Sequence, residues 1–390
     1  MAASLARARS IASSATDAPL GGVSVVAFLR RHWQKEALLV RNAIAGFAGL
    51  FSAEELFALA RRDDVESRVV VREGARWSLA HGPFRRADFK ALPARNWTLL
   101  VQGVNLVSPA GDALLRRFAF LPYARLDDLM VSYAAPGGGV GPHLDSYDVF
   151  LLQGFGRRRW RFGRQDDHAL VPRLPLPILR RFKPNRTEVL SSGDMLYLPP
   201  QHAHDGTAID PCTTYSIGFR AAGATDLAAA FLDFLRDELH LPGRYTDPDL
   251  APTRSPAEID AAMRRRCARM LKGVAWDRLT IARFLGCFLS EPKPNVFFEP
   301  PVAPLPRAAF DARTAKRGMR LDLRTQLLYD ATHVFINGTA LPWPVIGAPM
   351  LKRLANARAL APRAVGANPP DASAILYTWY RDGYLHTGTA

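Results

Sequence analysis

Cysteine is scarce in this 390-residue chain. Cys212, Cys267 and Cys287 are its three cysteines, and they share no motif spacing. That argues against a disulfide framework and fits a reducing compartment. Long apolar runs are missing as well. None approaches the ~20 residues that cross a bilayer, so a membrane-spanning helix is excluded. Acidic residues are in deficit, 36 Asp+Glu against 51 Lys+Arg, for a net charge of +15. There is no internal repeat. What is present is ordinary globular composition, 48% hydrophobic and 22% charged, which excludes disorder as the dominant state. At roughly 150 residues per domain, the length predicts two or three domains.

The charge admits two readings: a polyanionic partner such as nucleic acid or the ribosome, or arginines spread over solvated faces. Its distribution is uneven. Residues 157–186 hold ten basic residues against Asp166 and Asp167, which is +8 of the total. The start, MAASLARARSIASSATD, has no acid before Asp17. It reads as a flexible leader over 1–22 of a bacterial cytoplasmic protein, or as a transit peptide to the mitochondrial matrix.

Residues 23–130 mix helix and strand. Phe28, Leu29, His32 and Trp33 stand at helical spacing before the strand-like 37–41; a second helix is marked by Leu56 and Leu59, and a strand by 96–102. From 129 to 220, short apolar runs are separated by Gly, Pro and Asn, which predicts an antiparallel sandwich or barrel. Helical periodicity takes over at 226–291, with one stripe on Leu227, Phe231 and Phe234 and another on Ile259, Met263 and Met270. Such stripes are a core or a dimer seam. Six prolines between 292 and 306 predict an extended linker. Residues 307–390 carry a hairpin signal at Asn337-Gly338 and two helical segments, as a small winged-helix module would.

The stretch that carries chemistry is PGGGVGPHLDSYDVFLLQGFGRRRW, residues 136–160. On a strand, His143 and Asp145 would face the same side and bind one ion together. A third ligand must come from elsewhere, and PPQHAHDG, residues 199–206, supplies His202 and His204. Two imidazoles and a carboxylate on one face of a metal leave open positions, the facial arrangement of non-haem Fe(II) oxygenases. The glycines at 137–139 and 141 read as a turn entering a strand. Arg158 stands fifteen residues after His143, beyond a turn at 154–156, where its guanidinium can pair with a distal carboxylate of a bound diacid. Arg157 and Arg159 would point to the opposite face.

These runs, with YSIGFRA at 215–221, FLRRHWQK at 28–35, HGPF at 81–84 and DDLM at 127–130, closely resemble the JmjC-type ribosomal oxygenases. Within that family the nearest group hydroxylates an arginine of large-subunit ribosomal protein L-sixteen. The resemblance covers most of the chain from Val23. It implies an α+β chain with a mainly β core: a double-stranded β-helix (cupin jelly roll) over 23–225, a helical dimerisation region over 226–291, the proline-rich linker, and a winged helix over 307–390. It further implies Fe(II) on His143, Asp145 and His204, with 2-oxoglutarate anchored by Arg158, O2 as co-reactant, and hydroxylation at C3 of the target arginine. The family has a serine option at the position of Ala134, near the cosubstrate. An arginine substrate needs acids, and Asp127, Asp128 and Asp148 lie near the motif. Expected partners are a ribosomal protein, nearby ribosomal RNA and a second copy of the chain. The competing readings are a histidyl hydroxylase or lysine demethylase of the same family, or a non-enzymatic cupin with a nucleic-acid-binding winged helix, since 307–390 hold eleven basic residues against five acidic ones.

Overall fold

The computed structural model describes residues 18–344, 347–365 and 370–389. The transit-peptide reading rests on residues 1–17, which lie outside the described residues. The end of the expected leader is not a free tail. Leu20 is fully buried in the main core. A local turn seats it there: Leu20 N–H donates to the Ala18 carbonyl and Val23 N–H to the Leu20 carbonyl.

Eleven strands form the catalytic unit. In chain order they are β1 (Leu38–Val40), β2 (Ser67–Glu73), β3 (Arg76–His81), β4 (Trp97–Val101), β5 (Leu126–Ala134), β6 (Val149–Gln153), β7 (Arg158–Arg164), β8 (Arg186–Leu190), β9 (Met195–Leu198), β10 (His202–Ala208) and β11 (Cys212–Phe219). Eight of them make one antiparallel sheet in the order β1-β9-β6-β11-β5-β4-β2-β3. The other three form a smaller antiparallel sheet, β10-β7-β8. β6 and β7 follow one another in sequence but belong to different sheets, so the turn at 154–156 folds the chain from one layer to the other.

Strand alternation divides the large sheet into two faces. Leu129 and Val131 of β5, Phe150 and Leu152 of β6, and Tyr215 and Ile217 of β11 face outward, where they meet Phe28, Leu56 and Leu114. These three belong to helices Val25–Arg31, Ala53–Leu59 and Pro109–Arg116, each opened by a serine cap. Ser52 forms a full capping box: its hydroxyl accepts from Glu55 N–H and the Glu55 carboxylate accepts from Ser52 N–H. Burying Phe28 or Phe150 contributes about 2–3 kcal/mol each. The inner face carries Val149 and Leu151, packed with Trp160, Phe162, Leu190 and Leu196 between the sheets. β6 is thus covered on both faces, which is why its sequence, VFLLQ, is a continuous apolar run rather than an alternating one.

Three helices follow the barrel, Ala224–Glu238, Ala261–Leu271 and Arg278–Ser290. The C-terminal module packs helices Arg307–Arg317, Ala348–Ala357 and Pro370–Arg381 with two three-stranded sheets around its own core of Phe310, Val334, Leu351 and Leu376. The Asn337-Gly338 hairpin forms with both turn residues at positive φ, 48° and 86°. The proline-rich segment is not a free spacer. Lys293 is ion-paired to the barrel, Phe298 stacks edge-on against Tyr384, and Leu305 packs on the C-terminal core. Prolines remove amide donors, so the segment lies along both modules through side chains rather than by strand pairing.

Candidate active site

β10 had no strand signal in the sequence beyond the polar, small-residue run HAHDGTA. Its pairing with β7 is complete from His202 opposite Arg164 to Ala208 opposite Arg158. This ladder turns His204 into the space between the sheets, where it is almost fully buried. The loop 135–148 crosses the same space. His143 and Asp145 do not sit on a regular strand, as their spacing had suggested. His143 instead makes a single two-residue bridge to β10: its N–H donates to the His204 carbonyl at 3.0 Å, and His204 N–H donates to the His143 carbonyl at 2.9 Å. Glycine makes the crossing possible, because a Cβ on Gly139 would collide with the Gly206 carbonyl.

The two imidazole rings lie 4.2 Å apart. The Asp145 carboxylate is 4.0 Å from Nε2 of His143 and 3.6 Å from Nε2 of His204. One ligand atom from each residue falls within 4.8 Å of the others. Both rings are oriented from behind: Nδ1–H of His143 donates to the Gly141 carbonyl at 2.9 Å, and Nδ1–H of His204 to the His202 carbonyl at 3.0 Å. Each Nε2 lone pair is thereby directed at the carboxylate. Burial, reinforced by His143, pushes the His204 pKa down to about 4, so this ring is neutral at pH 7 and ready to coordinate. Two imidazoles and one carboxylate fit a divalent metal of the iron type. His202 lies outside this cluster. It opens β10, and two residues along a strand is about 6.7 Å.

Beside the triad is a cavity of about 260 Å³, walled by β2, β4, β5, β6, β7 and β11. Arg158 faces into it and is 5% exposed. Its Nη1 donates to Ser132 Oγ at 3.4 Å, and its carbon lies 5.7 Å from the Trp160 ring centre. Its Nε and Nη2 have no partner among the described residues. A buried guanidinium with one free edge is costly unless an anion completes it, so the pocket fits a carboxylate there. The neighbouring arginines point the other way, as alternation requires: Arg157 pairs with Asp210 and Arg159 is exposed. Ala134 is packed against Ala208 and Cys212, and Ser132, two residues earlier on the same face, brings the hydroxyl to Arg158. Sequence reading missed Ser132, Thr98 and Trp160. The side chains of Thr98 and Trp160 bring further polar atoms without a partner among the described residues to this wall, and the period of two from Arg158 to Trp160 was the available signal.

The three acids part company. Asp148 is wholly buried but on the far side of the large sheet. Its carboxylate accepts from Tyr197 Oη–H at 2.6 Å and Gln34 Nε2 at 3.1 Å, and pairs with Arg125 at 3.3 Å. It does not line the cavity, so it is not placed to touch a substrate there. Asp148→Ala should lower folding stability by about 1–3 kcal/mol, by leaving the buried Tyr197 hydroxyl without its acceptor and the partly exposed Arg125 without its ion pair. Chemical denaturation measures this, while the Michaelis constants of the folded enzyme stay unchanged. Asp127 and Asp128 do border the cavity. Asp128 is 4% exposed and its pKa is raised, chiefly by burial, with Lys293 opposing. Asp127 is partly exposed and pairs with Arg220 at 3.5 Å and Lys293 at 3.2 Å.

A double-stranded β-helix that holds a His-x-Asp…His cluster beside a buried arginine is the architecture of a JmjC-type oxygenase. Family comparison agrees with this class. Residues 113–227 match the JmjC domain and residues 273–386 the ROXA-like winged helix, while 184–285 match the AraC-like ligand binding domain. The ribosomal protein uL16 3-hydroxylase of Escherichia coli (strain K12) is 36% identical over 367 residues, spanning 92% of this chain and 96% of that protein. A probable ribosomal oxygenase of Haemophilus influenzae is 38% identical over 214 residues, about half of each chain. The X-ray structure of E. coli YcfD superposes with a TM-score of 0.82 at 33% identity, covering 94% of this chain and 98% of that one. A complex of the same ribosomal oxygenase with cobalt and 2-oxoglutarate superposes with a TM-score of 0.79. The chain belongs to the ribosomal oxygenase family of JmjC proteins.

Proposed function

We propose that this protein is an Fe(II)- and 2-oxoglutarate-dependent hydroxylase of a ribosomal protein, with an arginine of uL16 as its target and C3 as the site of hydroxylation. The observation that carries the reading is the cavity itself. It joins a metal-ligating triad, a buried cation with a free edge, and an acid pair on its wall. His143, Asp145 and His204 would hold Fe(II), and Arg158 would hold the far carboxylate of 2-oxoglutarate. When bound, iron and cosubstrate supply the oxidising power: 2-oxoglutarate is oxidised to succinate and CO2 as one oxygen atom of O2 enters a substrate C–H bond.

The protein's own contribution is placement. The backbone carbonyls of Gly141 and His202 fix the two imidazoles, and Ser132 and Trp160 hold Arg158 in its orientation. Leu100, Met130, Val140 and Leu176 form apolar walls that exclude water. Asp128, with Asp127 at the rim, offers negative charge to a cationic side chain whose aliphatic stem would reach toward the triad. The test is incubation of the enzyme with Fe(II), 2-oxoglutarate, O2 and purified ribosomal proteins, read by tandem mass spectrometry. The expected product is uL16 heavier by one oxygen atom on an arginine. Modification of a histidine, or loss of a lysine methyl group instead, would replace this reading with one of the other family activities.

The helical region at 224–290 carries exposed apolar side chains, among them Leu232, Leu271 and Leu279 on its helices and Trp276 in the loop between two of them. So much apolar surface on one region supports a homodimer through these helices. Light scattering at micromolar concentration should give twice the 43.0 kDa chain mass. On the small sheet and the loop after β7, Arg159, Arg164, Arg180 and Arg181 are exposed, a surface suited to ribosomal RNA near the substrate. The compartment such a substrate calls for is the bacterial cytoplasm.

A further inference from the structure

Lys293 stands on the segment expected to be a spacer, yet its ammonium group lies 3.3 Å from Asp128 Oδ2 and 3.2 Å from the Asp127 carboxylate. The two oxygens of Asp128 are used differently. Oδ2 accepts from Gln102 Nε2 at 2.8 Å, from Gly103 N–H at 3.2 Å and from Lys293. Gln102 is itself oriented, because its Oε1 accepts from Arg68. Oδ1 carries no hydrogen bond among the described residues and lies beside Gly218, whose missing side chain leaves it open to the cavity. One oxygen is therefore held by three donors, of which only Lys293 comes from outside the barrel, and the other is left free toward the cavity.

We infer that Lys293 is a positioning residue for substrate recognition: it holds Asp128 as an aimed carboxylate whose free oxygen receives the cationic side chain of the target. This rests on the proposed reading of Asp128 as the acid that meets the substrate. The physical reason is the position of Asp128. A carboxylate this deeply buried is driven toward its neutral form unless a cation stands beside it. Asp127 adds like charge and makes matters worse. Lys293 is the nearest cation, and although burial works against its own charge, Asp128 and Asp127 together raise its pKa. A neutral Asp128 would present a weaker acceptor, and Oδ2 without its third donor would be freer to turn. The ammonium sits on the outer oxygen, so it supports the acid without occupying the cavity side.

The experiment is steady-state kinetics of the full chain with recombinant uL16 and 2-oxoglutarate, together with direct titration of uL16 into the protein. Lys293→Met keeps the stem and removes the charge; Lys293→Arg keeps the charge. The expected result for Lys293→Met is a KM and Kd for uL16 raised about tenfold, with kcat and the KM for 2-oxoglutarate within about twofold of the unmodified protein. Lys293→Arg should restore most of the loss. Unchanged uL16 affinity in Lys293→Met would overturn the inference, as would a loss that Lys293→Arg fails to repair. Asp128→Asn separates the two levels. If it weakens uL16 binding while Lys293→Met does not, only the role of Lys293 falls; if it leaves uL16 binding unchanged, the reading of Asp128 falls and the inference with it.

Discussion

Asp145→Ala is expected to reduce turnover to background and to weaken divalent metal binding by more than about a hundredfold. The estimate follows from the roles of ligands and their supports. Removing a group that merely orients a ligand costs ~10–100-fold in affinity or activity, and a carboxylate that is one of three protein ligands must cost more. Asp145 is also the only carboxylate in the cluster, so its loss leaves two neutral imidazoles, which do nothing to offset the charge of a divalent ion. Cobalt(II) titration followed in the visible range reads the binding, and the mass shift on uL16 reads the turnover. The fold should survive, because Asp145 is partly exposed on a loop rather than packed in either core. Full activity in this variant would remove the triad from the proposed reaction.

Arg158→Ala should raise the KM for 2-oxoglutarate by about a hundredfold, equivalent to about 3 kcal/mol, since truncating one partner of a buried charge pair costs ~2–5 kcal/mol. The effect should be selective: the affinity for uL16 and for metal changes far less. Arg158→Lys should recover only part of the loss. Lysine replaces a planar fork by a point charge, and its single nitrogen cannot present two parallel N–H groups to a carboxylate while it also meets Ser132. The assay is cosubstrate dependence at saturating uL16. An unchanged KM in Arg158→Ala would assign the free edge of that guanidinium to something other than the cosubstrate.

Much of the site was legible because its chemistry depends on residue types that are rare together. His143, Asp145 and Arg158 stand within sixteen residues, and the PPQHAHDG run supplies the remaining histidine. The choice between His202 and His204 was open on spacing alone. It is closed by the β7–β10 ladder, a long-range pairing that leaves His204 in the cluster and His202 outside it. The strand β10 itself was invisible, because its residues are small and polar and gain their strand geometry from partners on β7. The i, i+2 argument for His143 and Asp145 reached a correct convergence from the wrong local structure: a single bridge to β10, not a strand, brings them together.

The acids show where local reading stops. Asp127, Asp128 and Asp148 looked equivalent in sequence, each near the motif and each negative. One step along a strand reverses a side chain's face, and the neighbouring elements then decide what it meets. Asp148 met Tyr197, Gln34 and Arg125 on the helix-covered side, while Asp128 met Gln102 and Lys293 at the cavity. Nothing near position 128 in the chain announces a lysine 165 residues away.

The amino-acid sequence by itself determined the chemistry available: a metal-ligand set, a guanidinium at the right remove, an antiparallel β core, and helices with one apolar stripe. It did so because ligand type and period are properties of residues and their immediate neighbours. Its shortage of cysteine and of long apolar runs had already excluded a disulfide scaffold and a membrane-spanning helix. Only the tertiary structure decided which histidine completes the cluster, which acids border the cavity, and that the proline-rich segment brings a lysine against them. Those outcomes depend on contacts between residues distant in sequence, and burial and pairing at such contacts are set by the packed chain as a whole.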